Sequence, residues 1–309
     1  MRVLVTGARG KVGRAAVEAL ARAGHDAVAT DILPAVFDRP PEDAAAADRV
    51  AYVRADLADA GDVFALLGGF TDGEGPRRGS FDAVVHAGAL PAPGRHAAQV
   101  VFHNNVMGVF NVVEACVRWG VPRLVNISSE TVVGFQFAER PTWPRYLPID
   151  ENHPCEPQDP YGLGKILGED ICTAAVRRSD LKIISLRPTW VQSPASYARN
   201  LGPLLADRSL PSTNGWSYID ADDLAAAILA AAGSDVDGHE AMFIAADDNV
   251  GGRDLHAAWR GAFPDAPTEL RPVPRPDANG FDTSKAKRLL GWAPRRSWHD
   301  YLTDSGAPL

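Results

Sequence analysis

Tyr161 and Lys165 stand four residues apart in a Tyr-Gly-Leu-Gly-Lys run that opens a helical pattern. At that spacing the two side chains share one helix face. A phenol ordinarily titrates at about 10, and a neighbouring ammonium favours its anion, which lowers that value toward neutrality. Such a group can take a proton from a substrate hydroxyl or return it. In Ile127-Ser128-Ser129-Glu130, which follows a strand-like run, Ser129 is expected to hydrogen-bond a substrate oxygen, with Glu130 beside it. A Tyr/Lys pair on its own is common on helix surfaces. The flanking elements decide whether this one does chemistry.

A second constellation precedes it. Gly7-Ala8-Arg9-Gly10-Lys11-Val12-Gly13 follows the first strand-like run directly and opens the first helix. In that context Gly7 permits a tight turn, Gly10 lets backbone amides approach a pyrophosphate, and Gly13 allows helix and strand to pack closely. The helix N-terminus, with Lys11 and Val12, supplies positive potential. Asp31 ends the second strand, where a carboxylate accepts hydrogen bonds from ribose hydroxyls and repels a 2′-phosphate. The expected cofactor is therefore NAD rather than NADP, with Arg9 the only nearby cation arguing otherwise. Asp56 and Leu57 end the third strand, facing the adenine. Ala87, Gly88 and Ala89 end the fourth, where small residues let backbone lie against the cofactor. His86 reads as a packed strand-end histidine, not a base. Asn105 in the long following helix, Ile127 and Pro188 complete the expected cofactor contacts; Pro91, Trp190 and Arg199 are expected at the substrate. A positively charged nicotinamide would also favour the Tyr161 phenolate.

The elements that must position these residues alternate. Apolar runs at 3–6, 27–30, 51–54, 83–86, 124–127 and 183–186 suit strands buried on both faces of a parallel sheet. Helical patterns cover 11–23, 62–67, 97–119 and 161–178, which together predict a doubly wound α/β fold. Residues 1–187 are expected to form the NAD-binding Rossmann domain. Residues 188–309 are expected to form a smaller, irregular, proline-rich substrate region, part of which could return to the first domain, with helices near 221–232, 253–262 and 283–290. The stretches 33–49 and 68–80 read as surface connections. The net charge of -8 and pI near 5.5 exclude the basic face of a nucleic-acid binder. Three cysteines, Cys116, Cys155 and Cys172, fit neither a disulfide framework nor a metal site, so no metal is expected. No leader is evident, and no apolar stretch reads as long enough for a membrane helix, so a cytoplasmic protein without a membrane partner is expected.

With these residues in view, the chain resembles the extended short-chain dehydrogenases known as the NAD-dependent epimerase/dehydratase family. The resemblance rests on the glycine motif, Asp31, Asp56-Leu57, residues 86–90, Asn105-Val-Met-Gly, Ser128-Ser129, Tyr161 with Lys165, and Leu186-Arg187-Pro188. It continues through Tyr218-Ile219-Asp220 to Leu224 and through Asp282, Lys285-Ala286, Leu289 and Gly291-Trp292-Ala293-Pro294. It implies NAD bound across the sheet, a keto-sugar, and a homodimer packed through helices 97–119 and 161–178. The apolar positions expected at that interface are Val109, Val112, Val113, Cys116, Val117, Ile166 and Ile171. Three departures stand out. Val132-Val133-Gly134 lacks the tyrosine such proteins often carry. Thr189-Trp190-Val191-Gln192-Ser193-Pro194 replaces an asparagine and a Tyr-Gly-Pro stretch. Gly215-Trp216-Ser217 replaces a pyrophosphate-binding arginine, for which Arg199, Arg208, Arg271 or Arg275 would have to substitute. The leading expectation is a nucleotide-sugar epimerase similar to UDP-glucose 4-epimerases. The second is a dehydrogenase of free sugars or uronic acids, and the third a non-catalytic NAD sensor. A dehydratase is disfavoured because Glu130 alone does not supply an Asp-Glu pair.

Overall fold

A computed structural model describes residues 1–33, 48–68 and 80–309; the expected connections at 33–49 and 68–80 lie almost wholly outside these residues. Strands β1 (Arg2–Thr6), β2 (Asp26–Asp31), β3 (Val50–Arg54), β4 (Ala83–His86), β5 (Arg123–Ile127), β7 (Lys182–Pro188) and β10 (His239–Ile244) form one parallel sheet in the order β10-β7-β5-β4-β1-β2-β3. The strand order reverses at β1, whose neighbours are β2 and β4. A crevice at such a reversal, outside the carboxyl ends of the strands, is where ligands bind in this architecture.

Helices cover both faces. On one, α1 (Lys11–Arg22) and α6 (Ala221–Ala232) pack against Val3, Val5, Val85, Val125, Ile184 and Ile244. On the other, α2 (Ala60–Gly68), α3 (Ala98–Trp119) and α4 (Pro160–Val176) enclose Leu4, Val84, Leu124 and Ile183. Helix α3 meets membrane length and composition, contrary to the sequence expectation, but half of that stretch is buried inside the molecule, as befits a core helix. Its neighbour α4 approaches closely because Gly168 faces Val109; a Cβ there would meet Val109 Cγ1 at 3.3 Å.

The corrected feature is the dimer surface. Val109, Val112, Val113 and Cys116 are all buried in the core beneath the sheet, with Val117 and Ile171 packed against the same cluster and Ile166 against another. Strands buried along both faces demand cover on each, and these side chains provide it on this one. The apolar side chains that α3 and α4 turn outward are Val100, Phe102, Phe110 and Leu163.

The last third of the chain does two jobs. It completes the sheet with β10 and α6, and α8 (Ser284–Leu290) packs beside them. Main-chain amides of Arg295 and Arg296 donate to Asp223 at 2.9 and 2.8 Å, fastening the C-terminal segment to α6. The remainder builds a flank from β6 (Tyr146–Leu147) with β11 (Glu269–Leu270), β8 (Trp190–Gln192) with β9 (Tyr218–Asp220), α5 (Tyr197–Ala206) and α7 (Leu255–Ala262). Aromatic residues hold it: Tyr197 stacks on Tyr301 at 4.1 Å and donates to Asp220 at 2.9 Å.

Candidate active site

The glycine loop sits at the reversal. Gly7 has φ of 63°, and a Cβ on it would lie 2.5 Å from Gly88 Cα, so the turns after β1 and β4 close on each other through bare backbone. A Cβ at Gly13 would lie 2.2 Å from the Gly7 carbonyl oxygen, which brings α1 hard against the turn. The result is a groove floored by main chain, the shape a pyrophosphate requires. Asp31 rims it: its carboxylate accepts from the Arg9 amide at 3.1 Å and the Leu33 amide at 3.4 Å. Lys11 reaches from α1 to the carbonyl of Val191 at 2.7 Å and to Ser196 Oγ at 3.3 Å. Burial lowers the Lys11 pKa, and the nearby charge of Arg199 lowers it further.

The other expected cofactor residues support this groove more than they line it. Leu57 packs against Gly88, where a Cβ would clash at 2.3 Å. Asp56 closes its own turn, taking the Ala58 amide at 2.9 Å. Asn105 is spent on main chain: it accepts from the Leu90 amide at 2.8 Å and donates to the Leu90 carbonyl at 3.0 Å, fixing residues 88–90. His86 is buried against Thr6 Oγ1 at 2.9 Å. Burial, with a smaller push from Lys165, drops its pKa to about 3, so it is a neutral packed histidine, as expected. Pro188 ends β7 in register with Ile244, and Pro91 lies exposed beyond β4.

Tyr161 enters in the first turn of α4 because Asp159 caps that helix, accepting the amides of Tyr161 and Gly162, both at 2.9 Å, with Pro160 preset at the first helical position. The phenol hydrogen-bonds Ser129, whose Oγ also accepts the Thr131 amide at 3.2 Å. Tyr161, Ser129 and Lys165 therefore converge, with the Lys165 ammonium 5.7 Å from the Tyr161 ring centroid. One expectation fails. The phenol is pushed up to about 12, not down, because burial dominates and the charges of Asp159 and Glu130 add to it against the single opposing bond from Ser129. Lys165 does not offset this: its ammonium donates to the Ile127 carbonyl at 2.6 Å, and burial lowers it to about 8. A cavity of about 10 Å³, room for roughly one water, lies behind it between His86, Asn105, Asn126 and Gly168.

Glu130 is 5% exposed, and Asn214 Nδ2 donates to its two oxygens at 3.3 and 3.4 Å. Trp190 contributes its main-chain amide to the same carboxyl, and the residue is 42% exposed. Phe137, also exposed, meets the Tyr161 ring edge-on at 6.2 Å. Phe137 is thus an exposed aromatic surface against the phenol.

Sequence reasoning missed Asn214, which lies 84 positions from its partner. It also missed a buried triad behind the site. Glu169 takes two hydrogen bonds from Arg187, at 2.9 and 2.6 Å, and one from Ser128 at 2.5 Å. The triad ties the Ser128-Ser129 turn to α4 one helical turn beyond Lys165. Lys165 and Glu169 at i and i+4 were a readable signal.

A family model described as the NAD dependent epimerase/dehydratase family matches residues 3–245. The chain is 28% identical to a UDP-glucose 4-epimerase of Mycolicibacterium smegmatis, covering 96% of this chain and 94% of that one. It is likewise 28% identical to a uronate dehydrogenase of Pseudomonas putida, covering 89% and 91%. Among solved structures, a short-chain dehydrogenase/reductase superfamily protein from Agrobacterium tumefaciens with bound NAD superimposes with a TM-score of 0.70 at 23% identity, over 97% and 94% of the two chains.

Proposed function

The chain belongs to the NAD-dependent epimerase/dehydratase family, and on that premise we propose that it oxidises a sugar carrying no nucleotide, using NAD. The observation that supports this reading is the fate of the arginines that a nucleotide pyrophosphate would need. Arg208 donates to the Gly251 carbonyl at 2.6 Å. Arg271 pairs with Glu269 and lies 3.3 Å from the Tyr146 ring centroid, and Arg275 is held bidentately by Asp277. Arg253 is buried against the carbonyls of Leu204 and Arg208. Arg199 keeps no carboxylate partner among the described residues, and it lies beside Lys11 at the glycine loop, where the cofactor's own pyrophosphate belongs.

The groove fits NAD: bare backbone at Gly7 and Gly88 for the phosphates, and Asp31 for the adenosine ribose. Bound there, NAD supplies the acceptor for a hydride. The protein's part is to orient the sugar between Trp190 and Phe137 and to move the hydroxyl proton through Tyr161 and Ser129. Lys165, 5.7 Å from the Tyr161 ring centroid and holding the Ile127 carbonyl, would also contact the nicotinamide ribose. A homodimer through the outward residues of α3 and α4 belongs to the same reading.

The test is a screen of free aldoses, uronic acids and UDP-sugars. Reduced cofactor should accumulate with a free sugar or uronic acid. Interconversion of UDP-sugars without net reduction would overturn the proposal. It would establish the second reading, a nucleotide-sugar epimerase, which is supported by the end-to-end likeness to such an enzyme.

A further inference from the structure

Three consecutive residues leave strand β5, and each is held from α4. Lys165 Nζ donates to the Ile127 carbonyl at 2.6 Å. Ser128 Oγ donates to Glu169 Oε1 at 2.5 Å. Ser129 hydrogen-bonds the Tyr161 phenol. The gripping residues stand at 161, 165 and 169, so one stripe of the helix addresses the whole turn. The contacts at Ile127 and Ser129 involve the lysine and the tyrosine themselves. The contact at Ser128 involves neither, yet it is sealed from solvent: Ser128 is 1% exposed and Glu169 5%.

Glu169 is itself braced. Arg187 on β7 donates to it through Nε at 2.9 Å and Nη2 at 2.6 Å. The Arg187 guanidinium rests on the Phe243 ring of β10 at 5.2 Å, and the Phe243 amide donates to Glu151 at 2.8 Å. The Ser128 amide donates to the Leu186 carbonyl at 2.8 Å, beside Arg187. Ser128 is thus fixed at both its amide and its hydroxyl. A buried ion pair is a poor way to gain stability. Taking two charges out of water costs about what their attraction returns, and apolar side chains of similar volume often do as well. What the pair supplies is direction. The planar fork of Arg187 sets where Glu169 Oε1 stands, and so where Ser128 Oγ must go.

We propose that Glu169, braced by Arg187, is a positioning residue for proton transfer, holding Ser128 so that Ser129 and the Ile127 carbonyl stay aligned with Tyr161 and Lys165. The proposal rests on the proton-transfer roles given above to Ser129, Tyr161 and Lys165. Glu169 and Arg187 act only through Ser128. Without that tether the turn keeps its strand pairing at the Leu186 carbonyl but can rotate about it. Ser129 Oγ then loses its fixed distance to the phenol. A displacement of about 1 Å at a reacting group can cost about 10²-fold in rate.

Ser128→Ala cuts the tether and leaves the Glu169–Arg187 pair whole. On the sugar identified by the screen, its kcat should fall about 10–10²-fold, with sugar KM, NAD affinity and melting temperature near wild type. Glu169→Met combined with Arg187→Met removes the pair without burying a lone charge, so the protein should fold and lose the same factor in kcat. Adding Ser128→Ala to that variant should cost nothing further, because the hydroxyl acts through Glu169. Wild-type turnover in Ser128→Ala, or losses that multiply in the triple variant, would overturn the proposal. Hydrogen exchange tests it with no sugar turned over. The Thr131 amide, which donates to Ser129 Oγ, should exchange faster in Ser128→Ala while global unfolding is unchanged. Unchanged protection at Thr131 would overturn the proposal as well. A fully active Tyr161→Phe enzyme would instead remove the proton-transfer reading beneath it.

Discussion

Tyr161→Phe deletes one oxygen and leaves the ring against Phe137 and the helix cap at Asp159 intact. Turnover should fall about 10²–10⁴-fold, the usual worth of a positioned proton-transfer group, with NAD affinity and melting temperature near wild type. A variant that lost stability but kept its turnover per folded molecule would assign the tyrosine to packing instead. Asp31→Ala should narrow a preference for NAD over NADP, because the carboxylate that repels a 2′-phosphate is gone. Calorimetric titration of both cofactors reads this, and equal affinities in the wild type would refute it. These residues were legible because each belongs to a local pattern: glycines three apart after a strand, a tyrosine and lysine four apart. Asn214 and Arg187 were not, because their partners Glu130 and Glu169 lie on other elements and no local periodicity links them. The direction of the Tyr161 shift was missed for a similar reason. Burial decides it, and burial is a property of the assembled fold.

Among the elements, the strands buried along their whole length, such as β4 and β5, were the easiest to read. Strand β10 was not: His239, Glu240 and Ala241 stay half-exposed at the edge of the sheet, so only its second half carries the expected pattern. The end of β4 makes a measurable prediction. His86 titrates at about 3 in the folded chain against 6.5 for an unperturbed histidine. The unfolded chain therefore binds the extra proton between those values. The stability that His86 contributes by staying neutral is complete above about 6.5 and is lost as pH falls toward 3. By pH 5 that loss amounts to about 2 kcal/mol. Urea unfolding at pH 7 and pH 5 should show it in the wild type and not in His86→Gln. Equal pH dependence in the two proteins would show that His86 does not carry the effect.

For the whole molecule, the outward face of α3 and α4 offers Val100, Phe102, Phe110 and Leu163 to solvent. Pairing that face with a second copy would bury it as a bundle of four helices. Phe110→Glu, which puts a charge on the exposed side and touches nothing in the core, should convert a dimer to a monomer by light scattering at micromolar concentration. A wild-type monomer under the same conditions would remove the assembly proposal. The sheet order carries a further consequence, for the order of events during synthesis. Strand β7 is complete once residue 188 has left the ribosome, but its outer neighbour β10 begins only at His239. Until then the nascent chain holds an unpaired, apolar edge of the kind that recruits strands from other chains. In the same interval α1 lacks α6, which packs on it. The tunnel must release Tyr161 long before it releases the residues that seal the sheet around it.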